Sequence, residues 1–254
     1  MQEDRADDPE ETLMTEVLKR RLPELIFEEA GSSVLPMLAP VERETLLDQV
    51  YIQLRQALMA GRFRPGQSLT LRSVAEALGV SHMPVRGALQ RLEAEGAIGS
   101  PATRRTLTIP ELRIGELEEI RDIRVELEGL AAQRAAECVT ADELVIIEKQ
   151  AHLMQAAAVA GDVEGYIREN WAFHTAVYKA SHMERLLALV ETLWLRVGPY
   201  VRLMMPDRDA MVASMPNHHD VFRALRDHDA KAARKSIAAD IVESARHLKT
   251  VLRP

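Results

Sequence analysis

Cysteine occurs once, at Cys138, in 254 residues. No disulfide can close within one chain, which excludes a disulfide-framed scaffold and fits a reducing compartment. Aromatic residues make up only 4% of the chain, which disfavours a β-sandwich and suits helices packed through Leu, Ala, Val and Ile. No apolar run reaches the length a bilayer requires. The opening stretch "MQEDRADDPEET" is acidic and polar, the opposite of a secretory or transit signal. The expectation is a soluble, cytoplasmic protein with no membrane partner. An overall positive charge is missing too: the formal net charge is −7. Contact with nucleic acid would therefore have to rest on a local basic patch.

Such a patch exists. Residues 1–40 carry 4 basic and 10 acidic side chains, residues 41–113 carry 10 arginines against 7 acidic residues, and residues 114–254 carry 18 basic and 22 acidic. The middle part alone is positive, and arginine supplies all of that charge. The same boundaries divide the chain by pattern. Residues 1–40 form an acidic extension with some helical periodicity broken at Pro23, closing on the linker-like "GSSVLPMLAP". Residues 41–113 alternate short helices with Gly and Pro. From residue 114 onward the chain reads as helix after helix without a convincing strand.

In the middle part, Leu46, Val50, Leu54 and Leu58 recur at helical spacing and Gly61 marks the end of that helix. Pro65-Gly66 makes a turn, "TLRSVAEALG" is a second helix closed by Gly79, and Ser81 stands as the cap of a third. Pro84 lies in the first turn of that third helix, where a missing N–H is tolerated. Val85, Leu89 and Leu92 give it a buried face, and Glu95-Gly96 stops it. "AIGSPATRRTLTIPEL" reads as two short strands around a loop that holds Arg104 and Arg105. Helix, helix, turn, helix and β-wing make a winged helix-turn-helix. In that motif the third helix enters the major groove through its N-terminal residues, here Ser81, His82, Met83, Pro84 and Arg86. A guanidinium can donate twice to guanine, which makes Arg86 the expected base contact. Arg72 opens the second helix within reach of phosphate or base, and Arg104 and Arg105 suit the backbone or minor groove.

The stretch "GRFRPGQSLTLRSVAEALGVSHMPVRGALQRLEAEG" closely resembles the DNA-binding domain of GntR-family transcription regulators. Their typical pattern is G-x-x-x-P-G-x-x-L followed by L-A-x-x-L-G-V-S-R-x-P-V-R-E-A-L-x-x-L-x-x-x-G. The resemblance implies that Arg72, position 82 and Arg86 are the principal DNA contacts, on an operator read by a homodimer with two-fold symmetry. The chain departs from the pattern at three places. His82 stands where Arg is usual, Gly87 stands where Glu is usual, and the wing reads "TRRT" without its glycine. Operator sequence therefore does not transfer from relatives.

In the helical part, Leu117, Ile120, Leu127 and Ala131 form a stripe that includes Arg124. Arg124 reads either as a cation that snorkels at the helix edge or pairs with a core carboxylate, or as a group offered to an anionic ligand. Thr140 to Glu143 make a capping box. Asn170 and His174 share a helix face at i and i+4. His218, unlike His219, falls on the apolar stripe of Met211, Met215, Phe222 and Leu225, and Asp240 lies on the inward face with Ile237 and Leu248. An amide, two imidazoles and a carboxylate on three helices suit a divalent metal; hydrogen-bonded core polar groups are the alternative reading of the same residues.

Here "EIRDIRVELEGLAAQRAA", "NWAFHTAVYKAS" and "HHDVFRALRDHDAKAA" resemble the FCD effector-binding domain of the FadR-type branch of the GntR family. That resemblance implies an all-α bundle that binds small organic acids or related metabolites. It also implies a divalent metal (Zn, Ni or Mn) held by Asn170, His174 and His218, with Asp240 where a final His is usual. The expected fold is mainly α, a winged helix-turn-helix followed by an antiparallel helical bundle. The expected function is a non-enzymatic transcription regulator whose operator affinity follows a small carboxylate, with Arg124 at the effector. Two other functions use the same residues. An HD-type phosphohydrolase would employ His219-Asp220 with His174 and Asp240, and a constitutive DNA-binder would carry an inert dimerisation domain.

Overall fold

The computed structural model describes residues 45–99 and 107–252. The acidic extension, Pro23, and the wing-tip residues Arg104 and Arg105 lie outside the described residues. Helix α1, Leu46–Met59, starts at a capping box between Thr45 and Asp48 and buries Val50, Leu54, Leu58 and Met59. Leu46, the first member of the sequence stripe, is 49% exposed, because the first turn overhangs the core. Gly61, at φ 63°, takes the left-handed turn that a Cβ would strain. Thr70 and Ser73 cap each other around the start of α2, Leu71–Leu78, and Gly79 ends it at φ 65°.

Helix α3, His82–Ala94, buries Val85, Ala88, Leu89 and Leu92 against α1 and α2. Its cap differs from the sequence expectation. Ser81 occupies the N-cap position with extended backbone but makes no side-chain capping bond. The reason is local: the third helical residue, whose N–H a serine cap normally satisfies, is Pro84, which has none. Gly87 also acquires a reason. A Cβ there would lie 2.4 Å from Cδ1 of Leu47 on α1, so the Leu47 side chain occupies the space that a larger residue at this position would need.

Strand β2, Leu107–Thr108, pairs antiparallel with β1, Ser68–Leu69, in the register Ser68 to Thr108 and Leu69 to Leu107. Gly99 and Thr108 form an antiparallel bridge across the expected wing loop, each donating its N–H to the other's carbonyl at 2.8 Å. The sequence suggested segments pairing on either side of that loop; the additional partner that precedes α2 was not in that reading. Strands of two residues carry no periodic signal.

The second region is a bundle of α4 (Ile114–Cys138), α5 (Ala141–Ala160), α6 (Val163–Lys179), α7 (Glu184–Val197), a 3-10 turn (Gly198–Tyr200), α8 (Val201–Met204), α9 (Arg208–Arg226) and α10 (Ala230–Val251). Thr140 and Glu143 form the expected capping box of α5. Helix α10 packs along α4, α5 along α6, and α9 against both α10 and α5. The bundle core includes Tyr166, Phe173, Trp194, Met211, Met215 and Ile237, each at most 2% exposed.

The segment around the 3-10 turn joins bundle to winged helix. Arg196 donates to the Gly96 carbonyl at 2.7 Å and also pairs with Glu116. Arg55 on α1 meets Glu191 on α7 at 2.5 Å. The Tyr200 hydroxyl accepts from the Leu112 N–H at 2.6 Å. At Gly198 a Cβ would sit 2.4 Å from the Leu58 carbonyl oxygen and 2.7 Å from that of Met59, so here backbone lies directly on backbone.

Candidate nucleic-acid interface and candidate metal centre

The N-terminal half of α3 turns outward the side chains that the sequence marks as candidate DNA contacts. Ser81, His82, Met83 and Arg86 are exposed, Pro84 is half-buried, and Val85, Ala88 and Leu89 anchor the opposite face. Met83, a large apolar side chain, is 75% exposed. Gln90, one turn beyond Arg86, lies on the same exposed face. The sequence reading passed over it, although i+4 spacing from Arg86 was the available signal. Arg72 is exposed at the start of α2 and pairs with Glu76 at 2.7 Å. An ion pair this open to solvent contributes little and exchanges readily for another anion.

The bundle brings the four expected ligands together. Helix α6 supplies Asn170 and His174, α9 supplies His218, and α10 supplies Asp240, all of them buried. His174 Nε2 lies 3.5 Å from Oδ2 of Asp240, and His218 Nε2 lies 3.9 Å from its Oδ1 and 3.1 Å from Oδ1 of Asn170. The donor atoms of His174, His218 and Asp240 all fall within 4.8 Å of one another.

The far sides of both rings fix their tautomers. The Tyr178 hydroxyl donates to Glu128, which leaves its oxygen free to accept from His174 Nδ1–H at 3.0 Å. His218 Nδ1–H donates to the Ser214 carbonyl at 3.0 Å. In the neutral rings, both Nε2 lone pairs therefore face inward, toward the Asn170 amide oxygen and the Asp240 carboxylate. Four acceptors converge and none of these atoms donates. A cation satisfies such a set, and histidines oriented through their other nitrogen are the usual support of a metal. Burial first, then the His218 ring and the Arg124 guanidinium, holds His174 well below the ordinary imidazole range, in the form that ligates. Burial raises the Asp240 carboxyl, against the pull of His218 and Arg124.

Glu128 and Tyr178 were not singled out in the sequence. Glu128 is fully buried and accepts from Arg124 at 2.6 Å (Nε) and 3.2 Å (Nη2), while also accepting from Tyr178. Arg124–Glu128 and His174–Tyr178 are both i,i+4 pairs, but only the approach of α4 to α6 joins them into one chain. Arg124 lies with its guanidinium carbon 4.8 Å from the Trp194 ring centroid. Of its two sequence readings, the structure gives a cation already paired with a core carboxylate.

Asn170, His218, Asp240 and Arg124 line a cavity of about 20 Å³, room for an ion or a water. A cleft of about 290 Å³ adjoins it and shares Met204, Met205, Asp240 and Ser244 with it. His219 and Asp220 face outward on α9, and Asp220 pairs with Arg223 at 3.2 Å. The cluster of His174, His218 and Asp240 forms without them.

Comparison with known proteins matches residues 46–107 to the family described as bacterial regulatory proteins, gntR family, and residues 119–243 to the FCD domain. The chain is 32% identical over 206 residues to the HTH-type transcriptional regulator McbR of Escherichia coli K12, covering 80% of this chain and 93% of that one. This chain belongs to the GntR family and carries an FCD domain. This GntR-family chain is also 30% identical over 207 residues to the HTH-type transcriptional regulator YdhC of Bacillus subtilis 168, covering 80% of this chain and 91% of that one. The solved structure of E. coli McbR/YncC superposes with a TM-score of 0.77 at 31% identity, covering 83% of this chain and all of that one. A GntR structure from Rhodococcus sp. RHA1 shares the fold at a TM-score of 0.67 and 19% identity, covering 82% of this chain and 99% of that one.

As a GntR-family protein the chain is a DNA-binding transcription regulator, with a winged helix-turn-helix and an all-α FCD bundle. No helix among the described residues is long and apolar enough to cross a membrane.

Proposed function

We propose that this regulator acts as a cytoplasmic homodimer on a palindromic operator and that a small organic acid, bound at a divalent metal inside the bundle, sets its affinity for DNA. Residues 41–113 form the DNA-reading unit and residues 114–254 the effector-binding and dimerisation unit. One observation carries the effector half of this reading. With both imidazoles neutral and oriented through Nδ1–H, their two lone pairs, an amide oxygen and a carboxylate converge from three helices.

On the DNA side, α3 lies in the major groove. Arg86 donates to a guanine edge, Met83 offers its apolar body to a thymine methyl, and Ser81, His82 and Pro84 border the same bases. Arg72 leaves Glu76 for a phosphate, and Arg104 and Arg105 hold the flanking backbone or minor groove. On the effector side, Asn170, His174, His218 and Asp240 hold Zn, Ni or Mn. The metal supplies an open position and positive charge for a carboxylate. Because Glu128 already balances Arg124, the role of Arg124 is to orient the core beside the pocket more than to bind the acid directly. Dimerisation is supported by Ile123 and Leu130, one heptad apart on α4 and 41% and 38% exposed. Two DNA-reading units then meet half-sites about one helical turn apart.

The test has two arms. Protein dialysed against Zn, Ni or Mn and then stripped of loose ions is expected to retain close to one ion per chain, and His218→Ala to retain none. Operator binding, followed by fluorescence anisotropy across a panel of organic acids, is expected to weaken with at least one acid in the metal-loaded form. Absence of bound ion overturns the metal assignment. Identical operator affinity across the panel overturns effector control.

A further inference from the structure

A second and larger cavity lies between the DNA-reading unit and the bundle. Its volume is about 720 Å³, inside the range usual for small-molecule sites. No residue of its wall is shared with the metal pocket or the adjoining cleft. Helices α1 and α2, with the connector carrying Arg62 and Phe63, form one side; Arg168 and Trp171 of α6 form the other.

Charge and surface chemistry restrict what fits. In a chain of net charge −7, the wall contains no Asp or Glu and two arginines, Arg62 and Arg168. Arg168 Nε is held by Glu169 at 2.8 Å, and that carboxylate is not part of the wall. Phe63 and Trp171, both partly buried against the core, supply flat apolar surface. Trp171 meets Trp194 at a centroid distance of 4.9 Å with the rings tilted by 55°, and the Trp194 ring lies 5.3 Å from that of His174.

We propose that this cleft is a ligand site separate from the metal pocket, and that it takes an amphipathic organic anion with a flat apolar body. The body lies on Trp171 and Phe63, and the anionic head meets the guanidinium groups of Arg62 and Arg168. Because both units build the wall, an occupant binds one of their relative arrangements better than another and biases the DNA-reading geometry. Trp171 follows Asn170 directly and precedes His174 by three residues on α6. One helix therefore senses both this cleft and the metal pocket.

The experiment uses full-length, metal-loaded protein and the probe 8-anilinonaphthalene-1-sulfonate. Binding is followed by energy transfer from tryptophan, and stoichiometry by calorimetry. One saturable site per chain is expected. The double variant Arg62→Gln/Arg168→Gln is expected to weaken it roughly tenfold or more. Ala77→Phe, at an exposed wall position, fills the space and is expected to produce a similar loss with the melting temperature retained. Uncharged N-phenyl-1-naphthylamine is expected to be insensitive to the arginine change. Wild-type protein stripped of metal is expected to keep one probe site per chain, which separates this site from the effector reading. Unchanged probe affinity in both the arginine pair and Ala77→Phe overturns the proposal, and so does disappearance of the site when the metal is stripped.

Discussion

The two functional regions of this molecule place polar chemistry in opposite surroundings. On α3 the side chains proposed to read DNA stand in solvent, and the helix is held by an apolar face they do not share. In the bundle the functional groups are themselves the interior: His174 and His218 are 2% exposed, Asn170 and Asp240 7%, and Glu128 0%. The contrast predicts how each region tolerates change. Outward groups can be exchanged without touching the fold, whereas Arg124, Glu128, Tyr178 and His174 are one another's hydrogen-bond partners and carry stability.

The sharpest way to break this comparison is Glu128→Ala. It strands the Arg124 guanidinium and the Tyr178 hydroxyl in the core, and a loss of about 3–5 kcal/mol is expected. By calorimetry the melting temperature should fall by about 10 °C or more. Arg124→Met/Glu128→Leu together should recover much of that loss, since the charge and its partner leave at once. A fall of a degree or two in the single variant would mean that the bundle tolerates stranded charge as the surface does.

Arg86→Ala is the matching change on the outward side. It should cost about 1–3 kcal/mol of discrimination between operator and random duplex, with the melting temperature unchanged; retained discrimination would remove Arg86 from base recognition. His82→Arg adds a permanent charge at the same end of α3. It should tighten binding and steepen the slope of log affinity against log salt by about one unit. An unaltered slope would place position 82 away from phosphate and base alike.

The smallest effect is expected at Glu143. Burial raises its carboxyl, but the Thr140 backbone and hydroxyl and His182 lower it further, leaving it below the ordinary value of 4.5. A carboxyl lowered in the folded state contributes stability above the unfolded value, and that contribution fades as pH falls through the folded one. Glu143→Gln should therefore lower the melting temperature by about 2–4 °C at pH 7. The gap to the parent should narrow as pH falls below 4.5, and a gap that stayed constant in acid would separate this residue from its capping role.

How much of this could be seen in the sequence followed the same inward and outward division. Helix ends were legible because Gly61, Gly79, Gly96 and the Thr140 capping box announce themselves locally. The outward face of α3 was legible by subtraction from the stripe of Val85, Leu89 and Leu92. His218 could be chosen over His219 because only one of two adjacent residues falls on an apolar stripe. The chain from Arg124 through Glu128 and Tyr178 to His174 stayed hidden, since helical phase puts each pair on one face but only packing brings the two faces together. The pairing of Ser68–Leu69 with Leu107–Thr108 was hidden too. It spans the whole of α2 and α3 and has no local pattern to reveal it.

Gly198 carries a last consequence. Where it touches the end of α1, two main chains meet with no side chain between them, so neither can slide past the other without prising the units apart. Any relative motion that preserved this contact would have to turn about it. Leu58 and Met59 form the contact while Ala57 and Ala60 border the large cleft, so the same short stretch of helix serves as fulcrum and as jaw. A swing that changes the gape of the cleft must therefore also re-aim the DNA-reading head.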